Sequence, residues 1–204
     1  GLAASSGLGS LIAVALSINT FAGELKNHTA FPLLARPIPR WAFILGKYLG
    51  VVVAMIGVIT IMDLATAATV ALYGATIPSA FWACMWLGWV EIAVVVAVSF
   101  AFSSLAVPTL AAAYSAGVIL AGNLATDVQN YAARLQRKGE SGGALLDAAY
   151  YVLPDLQDLS ARIQAANALP LPFETLVAGT LYGVSYAAVA MLIAMWVFSR
   201  RRAI

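Results

Sequence analysis

Charge is scarce in this sequence. Asp, Glu, Lys and Arg make up 10% of its 204 residues, against about 25% in soluble proteins. With 62% of residues apolar, the chain has too few polar groups to cover a surface in water, which excludes an ordinary water-soluble domain and makes the bilayer its solvent. The single cysteine, Cys84, lies in an apolar run; it allows neither an intrachain disulfide framework nor a cysteine metal site and reads as packing. The single histidine, His28, has no second imidazole or cysteine near it, so no metal-ligand spacing exists and no metal is expected. A net charge of +2 is too small to point to nucleic acid. No GxxxxGK[ST] loop occurs: GKYLG at 46–50 lacks the upstream glycine spacing and the hydroxyl residue after the lysine, so the chain cannot hydrolyse ATP alone. No Ser–His or paired-Asp arrangement stands out in the apolar runs, which argues against an intramembrane hydrolase.

What is present is a succession of apolar stretches near 20 residues, the length that crosses a hydrocarbon core about 30 Å thick. They run from Leu2 to Ala22, from about Lys47 to Tyr73, from Ala80 to Phe102 after a short turn at Pro78, from Pro108 to Thr126, and from Phe173 to Ser199. The expected fold is all-α: a polytopic transmembrane helical bundle forming one domain over 1–204, with five spans in this chain. No basic stretch precedes the first apolar run, so it reads as a span rather than a secretory signal. Seven of the eleven Lys and Arg residues (Lys26, Arg36, Arg40, Lys47, Arg200, Arg201 and Arg202) fall on one side by parity, and the positive-inside bias makes that side cytoplasmic. Gly1 then lies outside, and the natural protein is expected to carry one more helix upstream, six in all. Trp41, Trp82, Trp196 and Phe198 sit near span ends as interfacial anchors.

The long polar segment 127–172 holds five acids, with Glu174 at its edge, and is expected to stand on the extracytoplasmic side. Within it RKGESGG at 137–143 reads as a polar loop. Pro154 and Asp155 suit a helix start, and Leu156, Leu159 and Ile163 then recur at helical spacing, which predicts an amphipathic helix packed on the outer ends of the bundle.

Residues 23–50 read GELKNHTAFPLLARPIPRWAFILGKYLG. Basic and apolar residues alternate here with prolines, which predicts a short helix at the cytoplasmic membrane surface, Leu33 and Leu34 buried and Arg36 and Arg40 wet. An acid, a threonine, Leu-Leu, a basic-Pro pair, an Arg and a Gly-Lys entering the next span occur as Glu24, Thr29, Leu33, Leu34, Arg36, Pro37, Arg40, Gly46 and Lys47. This pattern resembles the intracellular connection of type 2 ABC transporter permeases. LPDL at 153–156, LYG at 181–183 and WVFSRRR at 196–202 look like the C-terminal part of the same family, so the likeness covers about half the chain. The resemblance implies the membrane subunit of a transporter, an exporter in a bacterial cytoplasmic (inner) membrane, working as a homodimer or heterodimer. It also implies a separate cytoplasmic ATPase that carries the ATP and Mg and docks on the coupling connection 23–46 through Glu24, Thr29, Leu33, Leu34, Arg36 and Arg40. No cofactor is expected in this chain.

Asp63 and Glu91 are the only acids deep within spans, where an ionised carboxylate costs about 2.5–3.5 kcal/mol on the insertion scale. One precedes the Pro78 turn by about as many residues as the other follows it, so both lie roughly 16–18 Å below the outer surface on adjacent helices. Thr60 and Thr66, at i−3 and i+3 from Asp63, are expected to extend a polar stripe on its face. These four residues are candidates for a translocation path, for a shared proton, or for structural hydrogen bonding. Gly46 with Gly50, and Gly179 with Gly183, have the spacing for close helix contact. Tyr114, Asn123, Tyr182 and Tyr186 read as ordinary interior contacts. Two other functions fit the residues: a scaffold that binds a cytoplasmic partner and transports nothing, and a proton-coupled secondary transporter using Asp63 and Glu91.

Overall fold

A computed structural model describes residues 2–26, 40–74, 76–124, 154–156, 159 and 172–200, side chains at 3, 21–26 and 40 excluded. Among the described residues five long helices follow one another: α1 (Leu2–Lys26), α2 (Arg40–Leu72), α3 (Ser79–Leu105), α4 (Pro108–Asn123) and α5 (Phe173–Arg200). They cover the five apolar stretches expected to be spans, and there is no strand among the described residues. By length and composition three are long and apolar enough to cross a membrane, in the segments Trp41–Leu72, Ser79–Leu105 and Phe173–Arg200; the apolar stretch Ala4–Thr20 of α1 is shorter. The 16 residues of α4 rise only about 24 Å.

The helix ends follow local chemistry. Gly74 ends α2 in the left-handed region, φ 73°, where a residue with a Cβ is strained; its N–H donates to the Ala71 carbonyl at 3.0 Å. Pro108 opens α4 at a position whose N–H would have no partner in the helix. Both helices flanking the 23–46 connection reach into it: α1 runs on through residues 23–26, and α2 starts at Arg40 rather than near Lys47. Hydropathy marks where hydrocarbon begins, whereas a helix stops where its hydrogen bonds stop.

Packing reverses the usual rule for water-soluble proteins. On α1, Ser5, Ser6, Gly9, Ser10, Ala13 and Ser17 face inward, while Leu8, Leu11, Ile12 and Leu16 face out. On α5 the inner face is Gly183, Ala187, Ala190, Met191 and Ala194, and Leu181, Val184, Leu192, Ile193 and Trp196 are exposed. Lipid tails are as apolar as leucine, so nothing drives large side chains inward; small inward residues let backbones approach. The inward hydroxyls donate to carbonyls of their own helix, Ser10 Oγ to Ser6 O at 2.8 Å and Ser17 Oγ to Ala13 O at 2.6 Å, so the helix itself satisfies them. The central helix is α3, which packs against the other four and most extensively against α5; Val94 to Phe100 are buried without a break.

Of the two glycine pairs, one makes a close contact within the chain. A Cβ on Gly183 would collide with Val90 of α3, and one on Gly179 would lie 3.2 Å from Leu87 Cδ2. Gly46 and Gly50 face open space, so their spacing serves no contact among the described residues.

Candidate functional site

Three places gather the residues singled out from sequence. The first is the connection between α1 and α2. Thr29, Leu33, Leu34 and Arg36 lie outside the described residues, as do the side chains of Glu24, within α1, and Arg40, which opens α2. Lys47 is described: its Nζ donates to the Thr20 carbonyl of α1 at 3.2 Å and lies 5.0 Å from the centre of the Phe43 ring. This cation therefore ties together the two helices that enter and leave the connection.

The second place is a buried polar cluster. Asp63 on α2 and Glu91 on α3 are 3% and 1% exposed and border one void of about 20 Å³ together with Ser5, Ser6, Cys84 and Gly88. Both acids border this one void, as residues at similar depth on adjacent helices can. Ser5 Oγ donates to Asp63 Oδ1 at 2.7 Å and also lies 3.0 Å from the Leu2 carbonyl. The void has room for one water by the usual criterion of about 10–15 Å³. Thr60 and Thr66 do not join the cluster. Their hydroxyls donate to the Ile56 and Met62 carbonyls of α2 at 2.7 and 3.0 Å, because a short β-hydroxyl reaches the carbonyl four residues back more easily than a carboxylate three residues away. Sequence reasoning missed Ser5, Ser6 and Cys84. The signal for the serines was the run of small residues at 5, 6, 9, 10, 13 and 17, one face of α1. No group of three or more metal-ligating side chains forms among the described residues.

The third place joins the two C-terminal motifs. Within LPDL, the Asp155 N–H donates to the Tyr182 hydroxyl oxygen of LYG at 3.0 Å. Leu156 and Leu159 are 0% and 1% exposed and belong to the main core. Leu156 lies against Gly122 of α4, where an added Cβ would sit 2.5 Å from the Pro154 carbonyl; Leu159 lies against Gly183 of α5. Tyr182 is nine residues into α5, about 13 Å along its axis. This part of the 127–172 segment therefore lies against the last turn of α4 and about a third of the way along α5, at the end of the bundle where the sequence predicts it, with Leu156 and Leu159 buried among the helices. Ile163 lies outside the described residues. Tyr182 is consequently more than an ordinary interior contact, while Asn123 is one, its Nδ2 donating to the Ile119 carbonyl at 2.9 Å.

The arrangement is that of a membrane bundle whose polar groups are turned inward, with one bracketed connection and no catalytic constellation among the described residues. Compared with known families, residues 4–203 match the ABC-2 family transporter protein family. No curated protein matches the chain.

Proposed function

Because this chain belongs to the ABC-2 family of transporter proteins, and is thus a multi-pass membrane permease component of an ABC transporter, we propose that it is the membrane subunit of an exporter driven by a separate ATPase. The observation that carries this is the family match over nearly the whole chain, and the lysine bracket at the 23–46 connection supports the rest. In this reading the ATPase holds ATP and Mg and docks on the connection through Glu24, Thr29, Leu33, Leu34, Arg36 and Arg40. Closure of the ATPase pushes on the connection. With α1 and α2 tied at Lys47 and Thr20, the push moves both helices together toward the Asp63–Glu91 cluster, as a rigid-body displacement rather than a local bend. Two permease subunits, identical or different, work side by side in a bacterial cytoplasmic membrane, with the connection and the arginine tail inside.

The test is affinity purification of the full-length protein in detergent, identification of the chains that accompany it, and an ATPase assay. A stoichiometric nucleotide-binding subunit with ATP turnover is expected; a homomer without ATPase would overturn the reading in favour of a scaffold or a proton-coupled carrier. Glu24→Ala and Arg36→Ala should leave insertion and ATP hydrolysis in place while transport falls severalfold. Unchanged coupling in both variants would remove them from the docking surface.

A further inference from the structure

The two ends of the bundle differ in charge. Gly179 of α5 lies against Leu87 of α3, and Gly183 against Val90 and Val94, so α5 runs parallel to α3 and its last turn comes level with the end of α3. On α2, Asp63 borders a void with Cys84, Gly88 and Glu91, whereas the Tyr48 hydroxyl donates to the Ala93 carbonyl at 3.2 Å and its ring meets Phe100 edge-on. Thus α2 runs opposite to α3 and begins where α3 and α5 end; Lys47, bonded to Thr20, brings the end of α1 to the same place. These helix ends, with the connection 23–46 and the residues after Arg200, hold seven of the eleven Lys and Arg residues but only one of the nine acids, Glu24. No described carboxylate lies near Arg200. Asp63 and Glu91 border the buried void, Glu174 opens α5 at its far end, and Asp155 bonds to Tyr182, 18 residues or about 27 Å along the helix from Arg200.

The cation is also held on a definite side. Arg200 Cζ lies 4.2 Å from the centre of the Trp196 ring, and Trp196 is 56% exposed, on the outer face of α5, while Met195 and Phe198 pack on the core. The indole therefore keeps the guanidinium on the lipid-facing side, where hydrocarbon gives way to headgroups. Stacking uses the flat face of a guanidinium, and its N–H donors at the edge stay available to an acceptor. We propose that the end of α5 docks the headgroup of an anionic phospholipid, its phosphate accepting from Arg200. Arg201 and Arg202, next in sequence, add to the positive field. An acyl chain lies along Leu192 and Val189, which are exposed on the face of α5 that carries Trp196. A zwitterionic phospholipid offers the same phosphate but brings a cation to a cluster of cations, so net negative charge is what the site selects.

The experiment is native mass spectrometry of the full-length protein released from detergent, with phosphatidylglycerol and phosphatidylcholine of identical acyl chains at equal concentration. The wild type should bind phosphatidylglycerol at least fivefold more tightly than phosphatidylcholine. Arg200→Gln, at an exposed position, should lower the phosphatidylglycerol affinity about fivefold and leave phosphatidylcholine unchanged. Trp196→Leu keeps an apolar side chain, removes the ring beneath the guanidinium and should lower it about twofold or more. Glu174→Gln, at the far end of α5, should change neither. Equal binding of the two lipids, or phosphatidylglycerol affinity unchanged in Arg200→Gln, would overturn the proposal. Loss of the preference in Glu174→Gln would overturn it too, since the lipid would then sit elsewhere. Displacement of the lipid by an equal concentration of the water-soluble headgroup, glycerophosphoglycerol, would assign the site to free phosphodiesters instead. The readout needs neither ATP nor an ATPase, so its failure is separate from failure of the transport reading.

Discussion

Replacing Gly183 by alanine should destabilise the bundle, although alanine is the better helix former. A Cβ at this position collides with Val90 Cγ1, and also meets Leu159 Cδ2 at 3.5 Å and Val94 Cγ2 at 3.6 Å. Two of these neighbours are valines, whose branched side chains have one strongly preferred rotamer in a helix and cannot swing aside. Overpacking of this kind costs about 1–3 kcal/mol, and the helix-propensity gain of alanine over glycine returns about 1 kcal/mol. The net loss is on the order of 1 kcal/mol, a fall of about 2–4 °C in Tm for a chain of this size. Gly57 is the control: an added Cβ there meets nothing within 4 Å, so Gly57→Ala should be neutral or stabilising. The assay is thermal unfolding of the purified protein in one detergent, followed by intrinsic fluorescence and by loss of the monodisperse peak. Adding Val90→Ala to Gly183→Ala should recover part of the loss as a coupling term, because the two residues touch. If Gly183→Ala melts at or above the wild-type temperature, or no lower than Gly57→Ala, the close approach of α3 and α5 through this glycine is refuted.

Two further outcomes follow from the buried hydrogen bonds. Tyr182→Phe removes the acceptor of the Asp155 N–H and should speed hydrogen exchange at that amide by tenfold or more, consistent with about 1–3 kcal/mol for an orphaned buried donor; unchanged exchange would show that the segment is held without it. The double variant Asp63→Asn, Glu91→Gln keeps the shape of the cluster and an oxygen for Ser5 Oγ to donate to. ATP-driven transport should survive it within about threefold, whereas a proton-coupled carrier would lose activity altogether; transport assayed in vesicles with and without ATP decides between them.

Reading order along the chain was enough for the five long helices among the described residues, because a bilayer demands about 20 apolar residues per crossing and forces each backbone to satisfy its own hydrogen bonds. It was also enough to put Asp63 and Glu91 at a similar depth, where both border one void, since two acids equidistant from one tight turn lie at about the same height on adjacent helices. The family likeness too was legible from residues, and LPDL and LYG, 27 residues apart at their hydrogen bond, turn out to touch. For Thr60 and Thr66, sequence spacing says which face a hydroxyl is on but not that the carbonyl of its own helix takes the proton.

Other features existed only once the helices were assembled. Leu156 and Leu159 look alike in sequence whether they cover the end of a bundle or enter it; Gly122 and Gly183, far from them along the chain, leave the space that takes them in. The hydrogen bonds of Tyr48 to the Ala93 carbonyl and of Trp86 to Thr180 each join two helices, α2 to α3 and α3 to α5, and exist only once those helices are packed. The sequence by itself determined a bilayer protein with five long apolar helices among the described residues and two acids at a similar depth, because those follow from length, apolarity and rise per residue. Which small residue admits which neighbour, and which polar groups of different helices pair, was decided by tertiary structure, because close packing depends on surfaces that sequence distance does not order.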